Sequence, residues 1–157
     1  MIRIVSGDLL SSTEDIIAHQ VNCCGVMGAG VAKQIKERFP KAYQVYRKTC
    51  ENYKGREDLI LGQCQLVVCR NPSGGNALVA NLFGQLDYGK GKRHTEDYVF
   101  MQCLMNLVVY ANEVHASSIA MPYKIGCGLA GGDWESIYKI IAQELRGFEV
   151  TLYKKEN

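Results

Sequence analysis

Two glycine-rich segments are the parts of this sequence best suited to chemistry. The first spans residues 22–30 (NCCGVMGAG) and the second spans residues 126–132 (GCGLAGG). Closely spaced glycines let backbone N–H groups approach an anion, and a helix that follows adds free N–H groups and the positive end of its dipole. Each segment is therefore predicted to bind a phosphate, and the pair suits a diphosphate.

Taken alone, each segment has a simpler interpretation, a tight turn between a strand and a helix in which glycine supplies positive φ angles. Neither segment matches G-x-x-x-x-G-K-[ST]. Neither shows the full G-x-G-x-x-G spacing with an acidic residue about 20 positions later. The sequence thus disfavours a P-loop NTPase and a Rossmann dehydrogenase.

Apolar periodicity predicts strands that alternate with helices. Strands are predicted at residues 2–5, 15–21, 63–69, 77–83, 118–122 and 148–153. Helices are predicted from residue 30 to the residue before Pro40, from Pro40 to about Tyr53, from about residue 95 to 112, and from Asp133, as the N-cap, to Leu145. The strands at 63–69 and 77–83 are expected to pair as a hairpin, because the residues between them are rich in turn formers.

The third predicted helix carries many apolar residues. Thr95 and the two acidic residues after it are interpreted as its start. Its core face is predicted to contain Tyr98, Met101, Met105, Val108 and Asn112, broadened by Leu104 and Leu107.

These elements predict a single α/β domain over residues 1–157, with a three-layer α/β/α arrangement around a mixed sheet of about six strands. Both glycine-rich segments follow a strand and precede a helix. Ligands in such sheets bind beyond the carboxyl ends of the strands, so the two segments are expected to line one crevice.

Composition excludes several function classes. A formal net charge of +2 gives no reason to expect general affinity for nucleic acid. The seven cysteines are predicted to be reduced core residues, and neither they nor the three histidines show metal-ligand spacing, so no metal is expected. The sequence lacks a signal peptide and an apolar run long enough for a membrane span, so we expect a cytoplasmic protein with no membrane partner.

Four motifs resemble those of the macrodomain family, and they occur in the family's order across almost the whole chain. The first is Val5-Ser6-Gly7-Asp8-Leu9-Leu10, and the second is His19-Gln20-Val21-Asn22-Cys23 with Val26 to Ala32. The third comprises Pro122, Ile125-Gly126-Cys127-Gly128-Leu129 and Trp134, and the fourth is Val150-Thr151-Leu152-Tyr153. The third motif is similar to the branch that contains terminal ADP-ribose glycohydrolases and the antitoxins that remove ADP-ribose from DNA, and the compact layout also suits ADP-ribose 1″-phosphate phosphatases.

The resemblance implies that the chain binds ADP-ribose. Asp8, Leu9 and Tyr153 would hold the adenine end, while Asn22 and Gln85 would face the distal ribose. The diphosphate would rest on Gly28, Ala29, Gly30, Val31, Gly126, Cys127, Gly128 and Leu129. Asp8, Asn22 and Tyr153 also have structural interpretations, as a turn cap, a loop cap and an edge-strand aromatic.

Two catalytic residues of the glycohydrolase branch are missing at the expected positions of this chain, although Lys90 and Lys92 lie close by at an offset from the position of the lysine. A lysine of that branch falls where this chain has Gly84-Gln85, and an aspartate falls where it has Ala130. The resemblance leaves Asn22 and His19 as catalytic candidates, around a water activated by the diphosphate of the ligand itself. His19 is alternatively a hydrogen-bonded core histidine.

Three functions follow as hypotheses. The chain is a hydrolase that removes ADP-ribose from a protein or nucleic acid, a hydrolase of ADP-ribose 1″-phosphate, or a reader that binds ADP-ribose without turnover. No cofactor is expected, and the chain is expected to be monomeric. A more distant hypothesis gives the basic loop from Lys90 to His94 a role in binding RNA or poly(ADP-ribose); its simpler interpretation is a solvated surface turn.

Overall fold

The computed structural model describes residues 1–88, 95–128 and 130–155. Leu129 and the Lys90 to His94 loop, both singled out from the sequence, therefore lie outside the described residues. The described strands are β1 (Ile2–Ser6), β2 (Ile16–Val21), β3 (Cys64–Arg70), β4 (Asn76–Phe83), β5 (Ser118–Pro122) and β6 (Glu149–Lys154). The described helices of more than one turn are α1 (Gly30–Arg38), α2 (Pro40–Asn52), α3 (Asp97–Glu113) and α4 (Trp134–Glu144).

The strands form one mixed sheet in the order β1-β6-β5-β2-β4-β3. The five neighbouring strands β1, β6, β5, β2 and β4 run parallel. The sixth strand, β3, pairs antiparallel with β4 along a seven-residue register from Cys64–Leu82 to Arg70–Asn76. The predicted hairpin and the predicted mixed sheet are confirmed. At most strand ends, the observed bound differs from the predicted bound by one residue.

Side chains that alternate along β2 divide the core between the two faces of the sheet. Ile16 and Ala18 pack with residues of α3 and α4, whereas Ile17 packs with residues of α1 and α2. Val21 belongs to the cluster formed with the second half of α2. The sheet thus lies between two pairs of helices, as the three-layer prediction requires.

The predicted core face of α3 is correct for Leu104 and Leu107, which are fully buried, and for Val108, which packs against the same core, but it is wrong at other positions. Tyr98 and Met105 are 65% and 52% exposed, and Asn112 is exposed as well. The face that packs on the sheet contains Phe100, Cys103, Leu104, Leu107 and Ala111, all fully buried. The helix is apolar around most of its circumference, so its sequence does not define a single buried stripe.

The predicted start of α3 is confirmed, but Thr95 does not cap the helix. The helix begins at Asp97, and the N-cap position belongs to Glu96. Thr95 is fully buried, and its Oγ1 donates a hydrogen bond of 2.7 Å to the carbonyl of Gly126 instead of capping the helix. Thr95 therefore connects α3 to the second glycine-rich segment.

The cysteine prediction holds for most positions, and all seven thiols are free. Five are buried, Cys127 is half-buried, and Cys24 is exposed, so Cys24 is a correction to the expectation of core residues throughout. Burial raises the pKa of the Cys24 thiol to about 11, with a further contribution from the charge of Asp87. None of the described helices combines the length and apolar character needed to cross a bilayer.

The parallel direction of the strands places their carboxyl ends on one edge of the sheet. Beyond that edge follow Asp8 after β1, Asn22 after β2 and Gln85 after β4. Pro122 and Tyr153 lie in register at the same ends of β5 and β6. The fold alone therefore gathers segments that are far apart in the sequence.

The N-cap of α4 provides a test of the local structure. Asp133 accepts hydrogen bonds from the backbone N–H and the hydroxyl of Ser136, at 3.1 and 2.7 Å. Asp133→Ala is expected to lower the free energy of unfolding by about 1 kcal/mol, because it removes the side-chain acceptor of an N-cap. Urea denaturation checks this, with Asp133→Asn as the matched control that keeps a capping oxygen. Equal loss in both variants would contradict the capping role.

Candidate functional site

A cleft runs along the carboxyl edge of the sheet and consists of two cavities that meet. The first, the inner cavity, has a volume of about 480 Å³ and contains parts of both glycine-rich segments, with Asn22, Gly126 and Gln85 in its wall. The second cavity, of about 540 Å³, is lined by Asp8 and Tyr153 among others. The two share Gly30, Val31 and Pro122, so together they form one elongated cleft.

The start of α1 lies where the two cavities join. Its N-cap is Ala29, which has an extended backbone and offers no side-chain hydrogen bond to the first turn. Gly30 follows with a φ of +57°, a left-handed conformation that favours glycine. Because no side chain caps this turn, its N–H groups are suited to binding an anion in the middle of the cleft.

A buried hydrogen-bond cluster holds the first glycine-rich segment in place. The Nδ2 group of Asn22 donates to the carbonyl of Val26 at 2.7 Å, and its Oδ1 accepts from the backbone N–H of Cys24 at 2.9 Å. The hydroxyl of Tyr46 lies 2.6 Å from Oδ1 of Asn22 and accepts from the N–H of Gly25 at 3.1 Å. Asn22 and Tyr46 together therefore determine the conformation of this loop.

The second glycine-rich segment is folded by its own backbone. The N–H of Cys127 donates to the carbonyl of Lys124, and the N–H of Gly132 donates to the carbonyl of Gly126, at 3.0 and 2.9 Å. Gly126 and Gly128 line the cavity, whereas Cys127 does not. The thiol of Cys127 lies 3.4 Å from the carbonyl of Ile125, and its side chain packs against the α3–α4 core.

The outer end of the cleft carries the residues predicted for adenine. Oδ1 of Asp8 accepts from the N–H of Leu10 and Oδ2 accepts from the hydroxyl of Ser11, both at 3.0 Å. Tyr153 donates its hydroxyl to both carboxylate oxygens of Glu14, at 2.9 and 2.8 Å. Burial and the Glu14 carboxylate raise the pKa of Tyr153 to about 12. The carboxylate of Asp8 is exposed and retains lone pairs for a further donor.

His19 lines the floor of the inner cavity but is 1% exposed. Its Nε2 lies 2.6 Å from Oδ1 of Asn81, whose Nδ2 donates to Ala42 and Gln65, so the proton of the imidazole is on Nε2. Burial lowers the pKa of His19 to about 4, against a smaller opposing effect of the Asn81 hydrogen bond. The imidazole is neutral at pH 7 and cannot act there as a cationic general acid.

Apart from Leu129, which lies outside the described residues, the structure brings the predicted residues to one cleft, with Leu9 buried beneath its outer end and the side chain of Cys127 turned away. Their contacts with a ligand stay predictions. The predicted site residues did not include Gln20, Tyr88 and Lys124, which also line the inner cavity. The signal for Gln20 was available, since it is polar within a strand that is otherwise almost entirely apolar.

Among residues 1–88, 95–128 and 130–155, no three His, Cys, Asp or Glu side chains converge on a position that could hold a metal ion. The described residues that line the cleft instead offer amides, backbone N–H groups, tyrosine hydroxyls, the amines of Lys124 and Lys155 and the exposed carboxylate of Asp8. This set suits hydroxyl and phosphate groups of an organic ligand.

The Macro domain family matches residues 18–141 of this chain, which include both glycine-rich segments and the strands that carry them. The chain belongs to the macrodomain family. Among solved structures, the macrodomain of Mycobacterium tuberculosis DarG superposes with a TM-score of 0.80 at 27% identity, over 98% of this chain and 97% of that one. The macrodomain of Thermus aquaticus DarG gives a TM-score of 0.77 at 31% identity, over the same shares.

Curated relatives have two activities in their names. The DNA ADP-ribosyl glycohydrolase of Thermus aquaticus is 33% identical over 98% of this macrodomain, and an ADP-ribose 1″-phosphate phosphatase of Meyerozyma guilliermondii is 33% identical over 62%. The matched regions cover 41% of the glycohydrolase and 61% of the phosphatase. This macrodomain therefore spans about two fifths of the length of the glycohydrolase.

Tyr46→Phe tests the cluster that holds the first loop. It removes a hydroxyl that serves Asn22 and Gly25 in a buried position, so we expect the free energy of unfolding to fall by about 1–3 kcal/mol. Chemical denaturation measures this, and Tyr53→Phe, at an exposed position on the end of α2, is the control. A Tyr46→Phe protein as stable as the control would contradict the proposed cluster.

The low pKa of His19 predicts a pH dependence of stability. The unfolded chain protonates this imidazole near pH 6.5, whereas the folded chain does so only near pH 4. The folded state therefore loses stability as the pH falls from 6.5 to 4, by at most about 1.4 kcal/mol per pH unit from this group. Denaturation at a series of pH values should show a shallower fall in His19→Gln than in the unchanged protein.

His115→Asn is the matched control for this series, because His115 has a φ of +58° and asparagine tolerates that conformation. The control should keep the full pH dependence. An unchanged slope in His19→Gln would mean that the imidazole titrates in the folded state much as it does in water.

Proposed function

We propose that this macrodomain binds ADP-ribose along the cleft and hydrolyses a bond at C1″ of its distal ribose. The observation that carries the proposal is the junction of the two cavities at the uncapped start of α1. A ligand with adenosine at one end and a ribose at the other end of a central diphosphate fits this arrangement. The adenine end would occupy the cavity of Asp8 and Tyr153, and the distal ribose would occupy the cavity of Asn22 and Gln85.

The bond to a DNA base is our first candidate for the scissile bond. The DNA ADP-ribosyl glycohydrolases from Mycobacterium tuberculosis and Thermus aquaticus match 98% of the chain each. Hydrolysis of ADP-ribose 1″-phosphate is the second candidate, favoured by the partial match to a phosphatase of that name. The substrates of the whole protein, and the molecule to which their ADP-ribose is attached, are part of this proposal.

A reaction through a protein lysine has no support at the expected position. Gly84 is buried there, and Gln85 beside it is an amide. We propose that a water attacks C1″ as the bond to the carrier breaks. The proton of that water would pass to an oxygen of the ligand diphosphate and then to the departing group. The chain contributes by placing the diphosphate against α1 and the loop built on Asn22.

Asn22 and His19 enter this scheme as supports and not as proton donors. Both functional atoms of the Asn22 side chain are engaged within the loop, which Asn22 holds in its binding shape. His19 would offer a neutral imidazole in the floor of the same cavity. The monomeric state and the cytoplasmic location expected from the sequence stay predictions, for light scattering and cell fractionation to test.

Asp8→Ala tests the adenine end. We expect the Kd for ADP-ribose to rise about 10- to 100-fold, because a hydrogen bond to a charged acceptor is lost. Isothermal titration calorimetry measures the Kd, and Ser11→Ala is the control that removes a neighbour of the carboxylate but leaves the carboxylate itself. An unchanged Kd in Asp8→Ala would reject this placement of adenine.

Turnover separates the hydrolase from a reader. The protein is incubated with an ADP-ribosylated DNA oligonucleotide and, separately, with ADP-ribose 1″-phosphate, and the products are followed by mass spectrometry. We expect release of free ADP-ribose from at least one substrate, and the substrate consumed identifies the bond. Binding of ADP-ribose without turnover of either would favour the reader, and absence of binding would reject the cleft as the site.

A further inference from the structure

Gln20 lies at the point where three walls of the cleft meet. It is in β2, next to His19 but on the opposite face of the sheet, and it lines the inner cavity. Its Nε2 donates one hydrogen bond to Oε1 of Gln85 at 2.7 Å and a second to Oγ1 of Thr95 at 2.8 Å. Both N–H groups of the carboxamide are therefore engaged.

Both partners of Gln20 donate further hydrogen bonds. Oγ1 of Thr95 donates to the carbonyl of Gly126 at 2.7 Å, and the N–H of Thr95 donates to the carbonyl of Ala130 at 3.0 Å. On the other side, Nε2 of Gln85 donates to the carbonyl of Asp87 at 2.7 Å. One chain of bonds thus runs from the segment after β4, through Gln20, to the second glycine-rich segment.

Gly84 packs directly against the side chain of Gln20 in this network. Its backbone does not adopt a positive φ, so its glycine is not explained by conformation. A Cβ built on Gly84 would overlap Oε1 of Gln20 and lie 2.7 Å from its Cδ. The chain therefore has glycine at this position because the carboxamide of Gln20 occupies the space.

We propose that Gln20 is a positioning residue that couples the distal-ribose wall of the cleft to the diphosphate wall. This rests on the proposed function. Gln85 would face the distal ribose and Gly126 the diphosphate, and C1″ lies between these two parts of the ligand. A rigid connection between the walls fixes the attacked carbon relative to the diphosphate that activates the water, next to the position where this chain has Gly84-Gln85 in place of a lysine.

Gln20→Met and Thr95→Val break the network with little change in side-chain size. We expect the single-turnover rate to fall about 10- to 100-fold in each, because small displacements of reacting groups have effects of that order. The Kd for ADP-ribose should change little, since the bonds to the ligand remain. The double variant should be no slower than the slower single variant, because both substitutions interrupt the same chain of bonds.

Two further variants separate positioning from a purely structural role. Thr95→Ser keeps the hydroxyl that accepts from Gln20 and donates to Gly126, and it should retain most of the rate that Thr95→Val loses. Gly84→Ala forces the carboxamide to move and should be slow. Gly84→Ala combined with Gln20→Ala relieves the overlap and should recover thermal stability but not the rate.

The control is Gln44→Met, the same replacement at an exposed position of α2. It should leave rate, Kd and melting temperature unchanged. Parallel loss of rate and affinity in Gln20→Met, or an unchanged rate in Gln20→Met or Thr95→Val, would overturn the proposal. So would a Thr95→Ser protein as slow as Thr95→Val.

Hydrogen exchange supplies a readout that does not depend on turnover. Gln20→Met should speed exchange of backbone amides at residues 84–88 and 125–128 together, while amides of β6 keep their protection. Unchanged exchange at both segments would reject the coupling. If the unchanged protein binds ADP-ribose but hydrolyses neither substrate, the hydrolase proposal fails, and this exchange measurement still decides whether Gln20 couples the two walls.

Discussion

The cleft depends on the parallel direction of β1, β6, β5, β2 and β4. Parallel strands end on a common edge, and each of these strands is followed there by a loop or a helix start. Backbone N–H groups at the start of α1 are consequently directed toward a space that also borders Asp8 and Gly126. An anion bound there would be held by the backbone of elements that the core keeps rigid.

Buried polar groups on β2 and α2 determine the shape of this edge. Tyr46 holds the loop at Asn22 from the α1–α2 side of the sheet, and Gln20 joins the other two walls from the α3–α4 side. The hydroxyl of Tyr46 and the Nε2 group of Gln20 are hydrogen-bonded, which offsets the cost of burying them, whereas Oε1 of Gln20 is buried without a hydrogen-bond partner among the described residues. The two supports act on opposite faces of one strand, which makes β2 the structural centre of the site.

His19 shows how burial changes the chemistry of a residue type. A histidine near a ligand cavity suggests acid–base catalysis, yet its environment keeps this imidazole neutral and its tautomer fixed by Asn81. The cleft therefore offers neutral hydrogen-bonding groups on its floor. That composition is consistent with a scheme in which the ligand diphosphate, and not the protein, handles the proton.

The sequence by itself determined the alternation of elements, the two glycine-rich loops and the edge on which they meet, because these follow from local periodicity and from the rule for parallel strands. It also indicated the family, since the four motifs are local runs of residues. It predicted the burial of Leu104 and Leu107 in α3 but not the whole buried face, because apolar residues surround this helix and only packing against β3, β4 and α4 selects Phe100 and Cys103 over Tyr98 and Met105.

Only the tertiary structure decided the roles of Thr95, Gly84 and Gln20. Thr95 is of the residue type, and at the position, expected of a helix cap, and Gly84 is of the type and at the position expected of a turn residue. Both instead contact the carboxamide of Gln20, which belongs to a strand more than 60 positions away. The pKa of His19 is likewise set by burial and by Asn81. Contacts between distant segments and the loss of water around a side chain are not encoded in local pattern, which is why the sequence predicted the residues that line the cleft but not the interactions that support it.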